Sequence, residues 1–161
     1  MTVPEYNQSV HDYADRLYRF VLKNIRDTDA AKDIVQDCYE KLWLRYSEVN
    51  SAKVRSYLFT AAYHTLIDFT RKRKPTVDVE HLEKTGEDLQ FGSPDLKKIL
   101  DWALEQIPEI QKAVILLRDY EGYNYDEIGD ITGLSESQVK VYIYRGRIAL
   151  RKLIGSPEVL I

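Results

Sequence analysis

YNYDEIGDITGLSESQVKVYIYRGRIALRKLI, residues 123–154, carries several independent requirements of one motif. A short helix from about Asp126 is predicted to end at Gly133, a residue suited to the left-handed conformation of a tight turn. Leu134 plugs that turn. Ser135 caps a second helix, and Gln138 three residues later completes a capping box. Val139, Ile143, Gly146, Leu150 and Leu153 recur as its inner stripe. Lys140, Val141, Tyr144, Arg145, Arg147 and Arg151 lie off that stripe. Gly129, a glycine four residues later and an apolar residue six after that match a helix-turn-helix. Gly129 lets the helices approach and Val139 locks the second one down. In that motif the 135–147 helix enters a DNA major groove, with Arg145 and Arg147 reaching bases or phosphates. A plain helical hairpin with a solvated basic face is the alternative. Residues 137–152 hold five bases and no acid, which favours DNA.

Upstream, helical spacing continues and strand alternation is scarce. Ser9 is the expected cap of a first helix with Val10, Tyr13, Leu17, Phe20 and Val21 inward. Thr28 or Asp29 starts a second, with Ile34, Val35, Cys38, Leu42 and Trp43 on one broad stripe. A third begins near Ser51 and runs through Leu58, Ala62, Leu66 and Phe69 into Arg71, Lys72, Arg73 and Lys74, where Pro75 stops it. Residues 75–92 show no period and read as a linker. Ser93, Pro94 and Asp95 then signal a helix start. Leu96, Ile99, Leu100, Ala103, Leu104 and Ile107 follow at helical spacing. Pro108 opens another helix, with Val114 and Leu117 inward, closing near Gly122. The expected fold is therefore all-α, with domains at 1–74 and 93–161 around a linker at 75–92.

The 161 residues are 44% hydrophobic, enough for a core, and the net charge is −3. That total hides an uneven distribution. Residues 1–74 hold 13 bases and 10 acids, residues 75–95 one base and six acids, and residues 96–161 nine and ten. Two basic patches flank an acidic strap. No apolar run approaches the roughly 20 residues of a membrane helix, and the start lacks a signal-peptide pattern. A single cysteine, Cys38, excludes an internal disulfide and fits a reducing cytoplasm. The three histidines are far apart and make no metal spacing, and no cofactor motif is present. There is no GxxxxGK[ST] loop, no HExxH and no nucleophile constellation, so no catalytic residue is expected.

DAAKDIVQDCYEKLW (29–43), VRSYLFTAAYHTLIDFTRKRK (54–74) and the helix-turn-helix, in that order, resemble the small sigma factors of the extracytoplasmic-function (ECF) family. The resemblance covers roughly residues 9–154. It implies a chain that binds core RNA polymerase, through the β′ clamp helices and the β flap, and directs it to promoter DNA. It implies that the segment of Asp33, Ile34, Val35, Gln36, Asp37 and Tyr39 docks on the clamp helices. The spacing of Asp33, Gln36, Asp37 and Glu40 also fits an ordinary solvated acidic face. The third helix would open and read the minus-ten element with Arg55, Tyr63, His64, Asp68, Arg71, Lys72, Arg73 and Lys74, although tyrosines are more often core. His64 stands where the family often has Asn. The recognition helix would read the minus-thirty-five element with Ser137, Lys140, Val141, Tyr144, Arg145 and Arg147. The linker would pass through the polymerase toward the RNA exit path. Family members are often held by an anti-sigma factor.

The rival class is a stand-alone helix-turn-helix regulator. It needs a dimer interface of its own, for which no amphipathic helix remains, and it leaves 29–43 without a role.

Overall fold

The computed structural model describes residues 1–73 and 96–155. Lys74, the linker at 75–92 and the helix-start signal at Ser93 to Asp95 lie outside the described residues. Among the described residues no strand occurs and seven α-helices carry the fold: α1 (Val3–Ile25), α2 (Thr28–Arg45), α3 (Val54–Lys72), α4 (Leu96–Gln106), α5 (Glu109–Ile115), α6 (Tyr125–Thr132) and α7 (Glu136–Ile154).

The cap of α1 is Thr2, seven residues before the expected Ser9. Thr2 and Glu5 form a reciprocal capping box, with Pro4 in the first turn. Ser9 sits buried inside the helix, where its hydroxyl donates to the Tyr6 carbonyl at 2.6 Å. A hydroxyl satisfied by the preceding turn needs no helix end. Asp27, one residue before the expected start, caps α2 by accepting from the Ala30 amide at 3.0 Å.

Helices α1, α2 and α3 bury Leu17, Phe20, Val21, Ile34, Cys38, Leu42, Leu58, Phe59, Ala62 and Leu66 against one another. Burial pushes the Cys38 thiol up to about 12, so this cysteine is a core residue and not a nucleophile. Trp43, expected inside, is 47% exposed and stacks on Tyr46 at 5.1 Å. Val10 is exposed too.

Helices α4 to α7 form the second unit. Helix α5 runs on into a wider π-helical turn, Leu116–Tyr120. Val114 and Leu117 are fully buried, as the spacing predicts. Leu96 and Leu153, expected on inner stripes, are exposed. Each lies at or next to an end of its helix.

The two units meet. Helix α1 packs on α4 and α5, and α3 packs on α6. Across this seam Phe59 meets Tyr123 edge-on at 5.7 Å. Lys112 of α5 is buried and its Nζ donates to the Asn24 carbonyl at the end of α1, at 2.8 Å. Burial lowers the Lys112 pKa, and the carboxylates of Glu109 and Glu105 oppose that shift.

Candidate nucleic-acid interface

The helix-turn-helix forms as its spacing predicts. Asn124 and Glu127 cap α6 reciprocally, and Ser135 and Gln138 cap α7 in the same way. Gly133 closes α6 at φ 78°, its amide donating to the Gly129 carbonyl at 2.8 Å. A side chain at Gly129 would stand 2.9 Å from the Leu134 carbonyl oxygen, so this glycine serves the turn's backbone more than the helix contact. Val139, Ile143, Gly146 and Leu150 are buried along α7.

That burial fixes which side chains α7 presents. Ser137, Lys140, Val141, Tyr144 and Arg145 are exposed, with Tyr144 at 67%. Steps of three and four residues keep Ser137, Lys140, Val141 and Tyr144 on one face. Lys140 pairs with Glu136 at 3.3 Å and lies 5.6 Å from the centre of the Tyr125 ring. Both attachments are exposed and weak enough for a phosphate to replace. Arg147 differs. Its guanidinium is held by Asp119 at 2.5 Å, so reaching DNA requires leaving that carboxylate. At the head of α7 the charge of Glu136, together with a hydrogen bond that the protonated Asp126 donates to it, pushes the Asp126 carboxyl above the usual range. Tyr125, Lys140, Tyr144, Arg147 and Arg151 line a shallow groove of about 400 Å³. Tyr125 and Asp119 have no place in the helical spacing of α7, and only the fold reveals them.

Helix α3 distributes its candidates. His64 and Asp68 are exposed, four residues apart on one face. Tyr63 is buried, which raises its hydroxyl pKa, and its ring lies 5.4 Å from that of His64. Tyr63 thus backs His64 and does not offer a free ring. Arg71, Lys72 and Arg73 are exposed. Arg73 also donates to the Ile25 carbonyl at 2.9 Å. Arg55 stands nine residues before His64, about 180° around the helix at roughly 100° per residue. It faces the second unit, donating to the Glu121 carbonyl with its guanidinium 4.4 Å from the centre of the Tyr123 ring.

On α2, Ile34 and Tyr39 are buried, and the Tyr39 hydroxyl donates to the Ser9 carbonyl at 2.8 Å. Asp33 and Gln36 are exposed, Val35 and Asp37 half-buried. Asp37 pairs with Lys41 at 3.0 Å. The segment therefore offers Asp33, Val35, Gln36 and Asp37 outward, while Ile34 and Tyr39 position it.

The sigma-70 region 2 family model matches residues 10–76, and the sigma-70 region 4 model matches residues 97–150. The chain is 31% identical over 145 residues to RNA polymerase sigma factor SigV of Bacillus subtilis, spanning 88% of this chain and 86% of that one. The chain belongs to the ECF family of sigma-70 factors. It is similar as well to the ECF RNA polymerase sigma factor SigM of Bacillus subtilis, with 25% identity over 158 residues and 95% of each chain. Its fold resembles that of the sigma factor RpoE of Bartonella quintana, solved in complex with the anti-sigma factor NepR. The TM-score is 0.77 at 23% identity, covering 96% of this chain and 99% of that one.

A sigma factor directs core RNA polymerase to promoter DNA, and the family is not a class of enzymes. For this sigma factor the two family regions fall on the two helical units, α1 to α3 and α4 to α7. Among the described residues no helix is long and apolar enough to cross a membrane. Nor, among them, is any group of three His, Cys, Asp or Glu placed to hold a metal ion.

Proposed function

We propose that residues 1–74 bind core polymerase and open the minus-ten element, that 75–92 link, and that 93–161 read the minus-thirty-five element. The observation that carries this division is the solvent-facing row of Lys140, Val141, Tyr144 and Arg145 on a helix anchored by its opposite face. Lys140 and Arg145 supply phosphate or base contacts, and Val141 and Tyr144 supply apolar contact to thymine methyls. On α3, His64 and Asp68 meet an unstacked base, with Arg71, Lys72 and Lys74 gripping the backbone. Asp33, Val35, Gln36 and Asp37 meet the β′ clamp helices, and the second unit meets the β flap. The chain performs no chemistry of its own; polymerase makes the RNA. It works in the cytoplasm, where an anti-sigma factor that covers the clamp-binding and promoter-binding faces holds it inactive.

Two variants test the division. Arg145→Ala is expected to lower promoter-specific transcription by roughly 5- to 100-fold, the loss of one base or phosphate contact, while polymerase binding stays intact. Asp37→Arg is expected to do the reverse, weakening co-purification with core polymerase. Loss of polymerase binding in the Arg145 variant overturns the assignment.

A further inference from the structure

Helix α1 carries a row of cations that neither promoter-reading face uses. Arg16, Arg19, Lys23 and Arg26 follow one another at steps of three and four residues. On α1 such steps keep Arg16, Arg19 and Lys23 within about 60° of arc and roughly 10 Å of helix axis, and Arg26 follows as the left-handed C-cap, φ 56°. Three of the four are met by carboxylates from the other unit. Glu121 pairs with Arg16 at 3.1 Å, Asp101 with Lys23 at 3.0 Å and Glu105 with Arg26 at 2.7 Å. Asp101 and Glu105 lie one turn apart on α4, so a row of anions answers the row of cations. Beside them opens a groove of about 430 Å³, lined by Arg16, Arg19, Lys23, Lys97 and the Tyr120 ring among others. Lys23 Nζ sits 5.0 Å from the centre of that ring.

A spaced row of anions on this row of cations, beside an aromatic wall, is what a nucleic-acid strand supplies. Its charges recur every 3.4 Å or so along the axis, and its bases stack on aromatic rings. The seam also has to open on a promoter. Elements about 25 base pairs apart are separated by about 85 Å at 3.4 Å per pair. Two touching units of some 70 residues each, with radii of gyration of about 11 Å, do not span that distance.

We propose that the basic row of α1 is a further DNA-backbone contact, and that in the free chain Asp101, Glu105 and Glu121 occupy it in place of phosphates. The closed seam and the DNA strand then compete for the same cations, so opening the chain uncovers the contact when DNA is at hand. This rests on the reading that the chain works on promoter DNA.

The test uses the full chain, without polymerase, and a fluorescent single-stranded oligo(dT) of 12 nucleotides. The seam variant is Asp101→Asn with Glu105→Gln and Glu121→Gln. Its control is Asp12→Asn with Asp29→Asn and Glu48→Gln, which changes net charge equally and leaves the seam intact. The seam variant is expected to bind about tenfold more tightly than the control. Its log–log salt slope should be steeper by about two, as for three added phosphate contacts. Arg16→Gln with Arg26→Gln, added to the seam variant, should remove both gains. Should the triple variant fail to fold, Glu105→Gln alone carries the test at about threefold. Equal gains in the control, or an unchanged slope, overturn the proposal. Promoter-directed transcription by the wild-type chain is measured alongside. If it is present while the seam variant fails, only the α1 contact is lost. If it is absent, the functional reading itself is wrong.

Discussion

Helix α7 turns Lys140, Val141, Tyr144 and Arg145 to solvent, whereas α3 divides its candidates among three environments. His64 and Asp68 face water, Tyr63 joins the core, and Arg55 is taken by the second unit. The difference lies in what sets each face. On α7 the outer face follows from local register, because Val139, Ile143 and Leu150 bury the other side. On α3 a whole second unit decides, through α6, which edge stays open. A helix that is covered on one side reads as a simple stripe. A helix packed on two sides does not.

The sharpest way to break this comparison is to cut inner and outer neighbours on each helix. Ile143→Ala should cost about 4 kcal/mol of stability in urea unfolding, since it empties a buried site. Tyr144→Ala, its exposed neighbour, should stay within about 0.5 kcal/mol in stability and lose promoter output. On α3, Tyr63→Ala should cost about 3 kcal/mol, while His64→Ala should leave the unfolding midpoint nearly unchanged and lower minus-ten opening. If His64→Ala destabilises as much as Tyr63→Ala, the exposed edge of α3 is wrongly placed.

The smallest effect concerns the seam. Lys112 has a folded-state pKa below its ordinary 10.5, because burial disfavours the ammonium. The unfolded chain therefore binds more protons between the lowered value and 10.5, and stability rises with pH in that window. Lys112→Met lacks this dependence. The wild-type chain should gain on the variant as pH climbs toward 10.5, read as the difference in Tm. A constant difference would mean that Lys112 is not desolvated at the seam. At the same seam the Arg55 Nε is buried without a hydrogen-bond partner. Such a group costs about 1–3 kcal/mol.

Much of the recognition unit is legible in the sequence alone. Gly133, Ser135 and Gln138 each have a single local job, and each does it. Val114 of α5 and Leu117 of the π-helical turn after it follow the same logic. Where sequence and fold part, the cause is different. Ser9 looks like a cap, but Thr2 and Glu5 make a better one and the Ser9 hydroxyl bonds within the helix. Trp43 and Leu153 are apolar at helical spacing, yet both stay exposed, Trp43 with the rings of Tyr6 and Tyr46 at its side. Arg147 finds Asp119 28 residues away, and Arg55 finds Glu121 66 residues away. Periodicity sees one helix at a time, so partners from other helices escape it. The nine-residue step from Arg55 to His64 does hold a clue, because it places the two on opposite faces.

The central claim is that this chain gives core polymerase its choice of start site. The most direct test is run-off transcription with reconstituted core polymerase over fragmented genomic DNA, with every 5′ end mapped. The account predicts a limited set of start sites sharing two upstream elements, lost with Arg145→Ala. Start sites scattered as with core polymerase alone would contradict it.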